Sequence, residues 1–104
     1  MECAKSDWKL FQNRIIEWQE KYMERLIKEY MQLLGGSENA SDKFWKLEER
    51  LKKDRRHPGV IIEMNKGNML YDIAALLNYG VITVGDLDGF SDTLKERVSF
   101  LIKG

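Results

Sequence analysis

The strongest constraint on this chain is a helical apolar periodicity that runs through its first third. At 100° per residue, Trp8, Phe11, Ile15, Trp18, Tyr22, Leu26 and Leu33 fall within an arc of about 80°. Ile16, Met23, Ile27, Tyr30 and Leu34 fall in an adjoining arc. Nearly all the charges, including Arg14, Glu17, Glu20, Lys21, Glu24, Arg25 and Lys28, take the remaining side. Glu17 with Lys21 and Glu24 with Lys28 are i,i+4 pairs in the more favourable orientation. Ser6 or Asp7 can cap such a helix, and Gly35-Gly36 stops it near Leu34. At 1.5 Å per residue it spans about 40 Å, more than a compact domain with a radius of gyration near 13 Å easily covers. Its apolar face, about half the circumference, is also wider than one neighbour requires. Part of this helix is therefore expected to project or to be covered by a second copy, unless the later helices wrap all of it.

The rest of the chain reads as shorter helices. Asn39 or Ser41 caps a second one, with Phe44, Leu47 and Leu51 on one face and Trp45 set apart by about 100°. It should end at Arg56-His57, because Pro58 disfavours the α conformation in the residue before it. Pro58 can itself open a helix. Residues 60–64 hold a cluster of β-branched side chains, but a lone strand is unstable, so a helical turn is expected there. A third helix over 68–79 buries Met69, Leu70, Ile73, Leu76 and Leu77 and ends at Gly80. Thr83 and Asp86 form a capping pair for a very short helix stopped by Gly89. Ser91 caps a last helix with Asp92 in its first turn and Leu94, Val98, Leu101 and Ile102 inward; Phe90 precedes that cap as a hydrophobic staple. The expected fold is all-α: a small helical bundle over residues 1–104, with one long N-terminal amphipathic helix and three or four shorter helices.

Composition excludes several functions. The chain has 104 residues, net charge zero and a single proline, so no global field draws it to nucleic acid or to an anionic membrane. The longest apolar run, residues 73–77, is far short of the roughly 20 residues needed to cross a bilayer. One cysteine, Cys3, rules out an internal disulfide and fits a reducing, cytoplasmic setting; a reactive or intermolecular thiol is the alternative for it. The single histidine, His57, lies beside Pro58 in a basic turn, which suits a surface or capping role better than catalysis. No nucleophile, base and orienting group come together in the sequence, so the chain is expected not to be an enzyme and to need no cofactor or small-molecule substrate. Residues 86–89 echo the middle of a calcium loop, but the alignment puts Val84 and Lys95 where oxygen ligands are required. Cysteine and histidine counts exclude a zinc finger.

Two patterns point to partners. Residues 43–56 hold seven basic side chains; Lys46, Arg50, Lys52, Lys53, Arg55 and Arg56 are the candidate patch for nucleic acid or an acidic partner. Over residues 41–57 seven basic residues against four acidic leave a net +3, which could track phosphates. Glu48 and Glu49 stand i,i+4 to Lys52 and Lys53, however, and compensate much of it. A helix, the Gly80 turn and a helix also suggest helix-turn-helix geometry, but the element after the turn carries Asp86 and Asp88 and no basic reading face. The aromatic distribution says more. Seven of the eleven aromatic residues, with all three tryptophans, lie in the first 45 positions. Trp and Tyr are over-represented at interaction hot spots. On a helix this long and this broadly apolar they favour a protein interface, with Trp8, Phe11, Trp18, Tyr22 and Trp45 as candidate contacts and a homodimer as the simplest partner.

The segments Asp7-Trp8-Lys9-Leu10-Phe11, Lys43-Phe44-Trp45-Lys46-Leu47-Glu48, Gly80-Val81-Ile82-Thr83 and Asp86-Leu87-Asp88-Gly89-Phe90-Ser91-Asp92 give nearly the whole chain a distinctive wording. In that wording it resembles a family of small helical proteins of Gram-positive, gut-type bacteria, some of which carry a multidrug-transporter label. The resemblance brings no catalytic residues with it, and the transporter label conflicts with the absence of any membrane-spanning run. The expected function is thus a non-enzymatic interaction module, an adaptor or regulator that self-associates through the long helix. A small inhibitor of the immunity, antitoxin or anti-defence kind and a nucleic-acid-binding accessory protein using residues 43–56 are the alternatives.

Overall fold

A computed structural model describes residues 4–102. The expectations placed on Cys3 lie outside them. The architecture is the expected all-α one, with no strand among the described residues: α1 (Lys5–Leu34), α2 (Ala40–Asp54), α3 (Met69–Asn78) and α4 (Asp92–Ser99), with 3-10 turns at Lys66–Asn68 and Val84–Leu87. α1 is one continuous rod of 30 residues. The molecule is elongated, 52 × 24 × 21 Å with a radius of gyration of 16.5 Å, well above the roughly 13 Å of a compact chain of this length.

The elongation follows from how α1 is shared. Its first half lies against α3, the Val84–Leu87 turn and α4, and their side chains form one core of Phe11, Ile15, Trp18, Met69, Ile73, Leu76, Ile82, Leu87, Phe90, Leu94 and Val98. Its second half extends past that core and is accompanied by α2, which returns antiparallel after Gly35-Gly36.

Several local expectations hold. Asn39 caps α2 by accepting the Asp42 N–H, and Ser91 caps α4 by accepting the Leu94 N–H. The Asp86 carboxylate accepts the Thr83 N–H at 2.7 Å, closing the short turn. Gly80 and Gly89 take positive φ, +73° and +92°, where only glycine sits without strain.

Others are corrected. Neither Ser6 nor Asp7 caps α1, which starts at Lys5 after Ala4 with no side-chain cap. Asp7 is instead 3% exposed, and its carboxylate accepts the backbone N–H of Ser91 at 2.9 Å and its hydroxyl at 2.6 Å. It therefore ties the first turn of α1 to the N-terminus of α4, a tertiary bond that local spacing does not show. α2 ends at Asp54 rather than at residues 56–57, because the chain turns sharply there, with the His57 N–H on the Asp54 carbonyl at 3.0 Å. Pro58 opens no helix. The expected helical turn over 60–64 is not formed: the chain turns earlier, where the Val60 and Ile61 N–H groups meet the His57 carbonyl, residues 61–65 have no regular structure, and half-buried Ile62 packs on the core. Phe90 finds its apolar partner in Trp18 of α1, at 6.2 Å between rings, so the staple joins two helices.

Candidate protein-binding surface

The five aromatic residues picked as contacts divide between interior and surface. Trp8, Phe11, Trp18 and Phe90 form a continuous chain of tilted rings, each 6.1–6.2 Å from the next. Phe11 and Trp18 are buried members of the chain's own core, and Trp8 packs half-buried against it. Phe11 and Trp18 thus have no surface to give to a partner, which corrects the expectation for them. Tyr22 is half-buried and stacked on His57 at 4.7 Å, with the planes 9° apart. Trp45 alone of the five is well exposed, at 63%, and it meets the neighbouring Phe44 edge-on at 5.0 Å.

His57 is a joint between elements. Its ring stacks on Tyr22 and takes Tyr79 edge-on at 4.8 Å, and its Nδ1 accepts the Gly59 N–H at 3.0 Å. Burial holds its pKa below the usual 6.5, more than Asp54 raises it. Gln19 donates to the Pro58 carbonyl and Arg25 to the Gly80 carbonyl, so polar side chains of α1 fix the loops that cross it. Arg14 does the same for the acidic turn, donating to the Asp86 and Asp88 carbonyls while lying over the Phe90 ring. Among the described residues no group of three His, Cys, Asp or Glu side chains could hold a metal ion, and no helix is long and apolar enough to cross a membrane.

The hairpin of α2 on α1 is held by a polar clamp. Arg50 pairs with Glu29 at 2.7 Å and with Asp54 at 3.5 Å, and the Tyr30 hydroxyl donates to the Asp54 carboxylate at 2.5 Å. Burial and that hydrogen bond push the Tyr30 phenol up to about 12. The clamp consumes part of the basic patch. Arg50 is spent on it, Lys46 pairs with Glu38, and Lys52 with Glu48 at 3.2 Å. Three of the six candidate cations are thus neutralised within the chain. Of the others, Lys53 lies on the last turn of α2, whereas Arg55 and Arg56 fall in the turn beyond its end at Asp54.

What the hairpin leaves outside is apolar. Ile16, Met31 and Phe44 are 72%, 67% and 62% exposed, and Ile27, Leu34 and Leu51 about half. Met23, Ile27 and Tyr30 of α1 face Leu51 of α2 and Val60 across a groove of about 200 Å³. In the adjoining arc of α1, Ile16, Ile27 and Leu34 are therefore left exposed and Met23 and Tyr30 half-covered, while most of the aromatic arc is consumed by folding. A smaller exposed pair, Tyr71 and Phe100, flanks a cavity of about 330 Å³ beside α3 and α4 but has no comparable length or periodicity. No protein-family model, no curated protein and no solved structure matches this chain.

Proposed function

We infer that this is a non-enzymatic cytoplasmic interaction module, an adaptor or regulator, whose contact surface is the outer stripe of α1 with the adjacent flank of α2. One observation carries the reading: Ile16, Ile27, Met31 and Leu34 stay exposed on one side of the longest helix of the chain, with Met23 and Tyr30 half-buried beside them. Contiguous apolar patches of several hundred Å² mark interaction sites more often than they occur by accident. The test compares the intact chain with an Ile27→Glu, Phe44→Glu variant as baits in the native cell, with captured species measured by mass and stoichiometry. Stoichiometric partners held by the intact chain and lost from the variant support the reading; a partner profile indifferent to both substitutions overturns it. The inhibitor reading draws on the exposed Phe44–Trp45 pair, which could anchor in a pocket of a larger target, and it predicts a one-to-one complex sensitive to Trp45→Ala. Binding to nucleic acid is less favoured, since three of its six cations are already paired.

A further inference from the structure

The geometry points to a second copy of this chain as the occupant of that stripe, paired antiparallel along α1; the inference rests on the stripe being a contact surface at all. The residues on it, Ile16, Glu20, Met23, Ile27, Tyr30 and Leu34, are spaced 4-3-4-3-4, the alternation of a heptad seam. The inner arc, through Trp8, Phe11, Ile15, Trp18 and Tyr22, repeats the same alternation and is already packed. α1 thus carries two seams, one filled by its own chain and one largely open, with Ile16, Ile27 and Leu34 exposed, Glu20 at its charged edge, and Met23 and Tyr30 partly covered from the α2 side.

The open seam is self-complementary in one direction only. Run antiparallel against itself, it sets Ile16 opposite Leu34 of the second copy, Met23 opposite Ile27, and Glu20 opposite Tyr30, so every layer is matched in both copies by one two-fold axis. Run parallel and in register, it sets Glu20 against Glu20 in an otherwise apolar seam, and like charges at such a site repel with little water to screen them. In the antiparallel arrangement the Glu20 methylenes lie across a phenol ring and its carboxylate stays at the rim in water. That arrangement also sends the two core-bearing ends of these 52 Å long molecules to opposite ends of the pair.

The area is in the right range. At about 200 Å² for a fully exposed large side chain, the seam together with Met31, Phe44 and Leu51 offers on the order of 600 Å² of apolar surface. A stable interface takes about 800 Å² per partner, and the stems of Glu17, Glu24 and Lys28 beside the seam supply the remainder.

The experiment is sedimentation of the purified full chain across the micromolar range, at physiological and at molar salt, followed by a crosslinking test of register. Twice the 12.2 kDa chain mass, little changed by salt, is expected, with Ile27→Glu weakening association about 100-fold while circular dichroism stays helical. In a Cys3→Ser background, Ile16→Cys and Leu34→Cys chains, whose like positions lie about 27 Å apart along an antiparallel pair, should link only when mixed if treated with a short thiol-specific crosslinker. Each variant linking to itself overturns the antiparallel register. A monomer at every concentration overturns the second copy as occupant, and capture of a different protein that still depends on Ile27 would then leave the contact surface standing. Loss of both overturns both.

Discussion

The two halves of α1 have similar apolar content and opposite fates. From Trp8 to Trp18 the apolar arc is consumed by α3, α4 and the turns between them, and the polar groups nearby, Asp7 and Arg14, are turned inward to satisfy backbone donors and carbonyls of the elements that cover it. From Met23 to Leu34 the main companion is α2, joined through the Glu29–Arg50–Asp54–Tyr30 clamp, with Val60 beside it; Leu26 is buried there, but Ile27, Met31 and Leu34 stay exposed. Partly exposed ion pairs are worth little, commonly about 0–1 kcal/mol, whereas each large core side chain contributes about 1.5–3 kcal/mol. The core end should therefore carry the global stability, and the hairpin end should open locally at lower cost. A contact surface placed on the weaker end can adjust to a partner without putting the core at risk.

The sharpest way to break this contrast is to truncate one phenylalanine at each end. Phe11→Ala should cost about 3–5 kcal/mol, a large share of the total for a domain of this size, whereas Phe44→Ala should stay within about 0.5 kcal/mol. Urea denaturation of both variants, at a concentration too low for copies to associate, reads the difference, and comparable losses would abolish the distinction between the ends. Next in size is Asp7→Ala, which strips the acceptor from two Ser91 donors in a buried place and should cost about 1–3 kcal/mol. The loss should exceed that of a simple cap such as Asn39→Ala, worth about 1 kcal/mol. Tyr30→Phe removes one hydroxyl from the clamp and should cost about 1 kcal/mol. Its signature is local: hydrogen exchange should quicken in α2 and leave α3 and α4 unchanged.

The smallest effect is a pH slope at the joint between the ends. The folded His57 binds its proton less readily than the unfolded one, because burial lowers its pKa from 6.5. Its contribution to stability is complete above that value and declines as the pH falls from 6.5 toward the folded pKa. His57→Gln should flatten the slope between pH 7 and pH 5 in thermal melts. Asp72 works with the opposite sign in a lower window. One of its carboxylate oxygens is buried without a partner, and burial raises its pKa from 3.8, so its cost grows as the pH rises through the folded value. Asp72→Asn should therefore raise the midpoint at neutral pH.

Much of this was legible from residue order. The length and continuity of α1, the stops at Gly35-Gly36, Gly80 and Gly89, the caps at Asn39 and Ser91 and the Thr83–Asp86 pair all depend on groups within a few positions of one another, and backbone sterics and short-range hydrogen bonds settle such features locally. The excess of apolar surface on α1 was visible as well, since helical angle alone sorts side chains into arcs. Which arc would be covered was not. Trp18 and Ile27 look equally available along the chain; Trp18 is interior because Phe90 packs on it from far away in sequence, and Ile27 stays about half exposed because Leu51 and Val60 only face it across a groove. Asp7 reads as a local cap until Ser91 lies against it. Burial is a property of what packs from a distance, so periodicity determined that α1 had two faces to offer, and only the tertiary arrangement decided which one this chain would keep for itself.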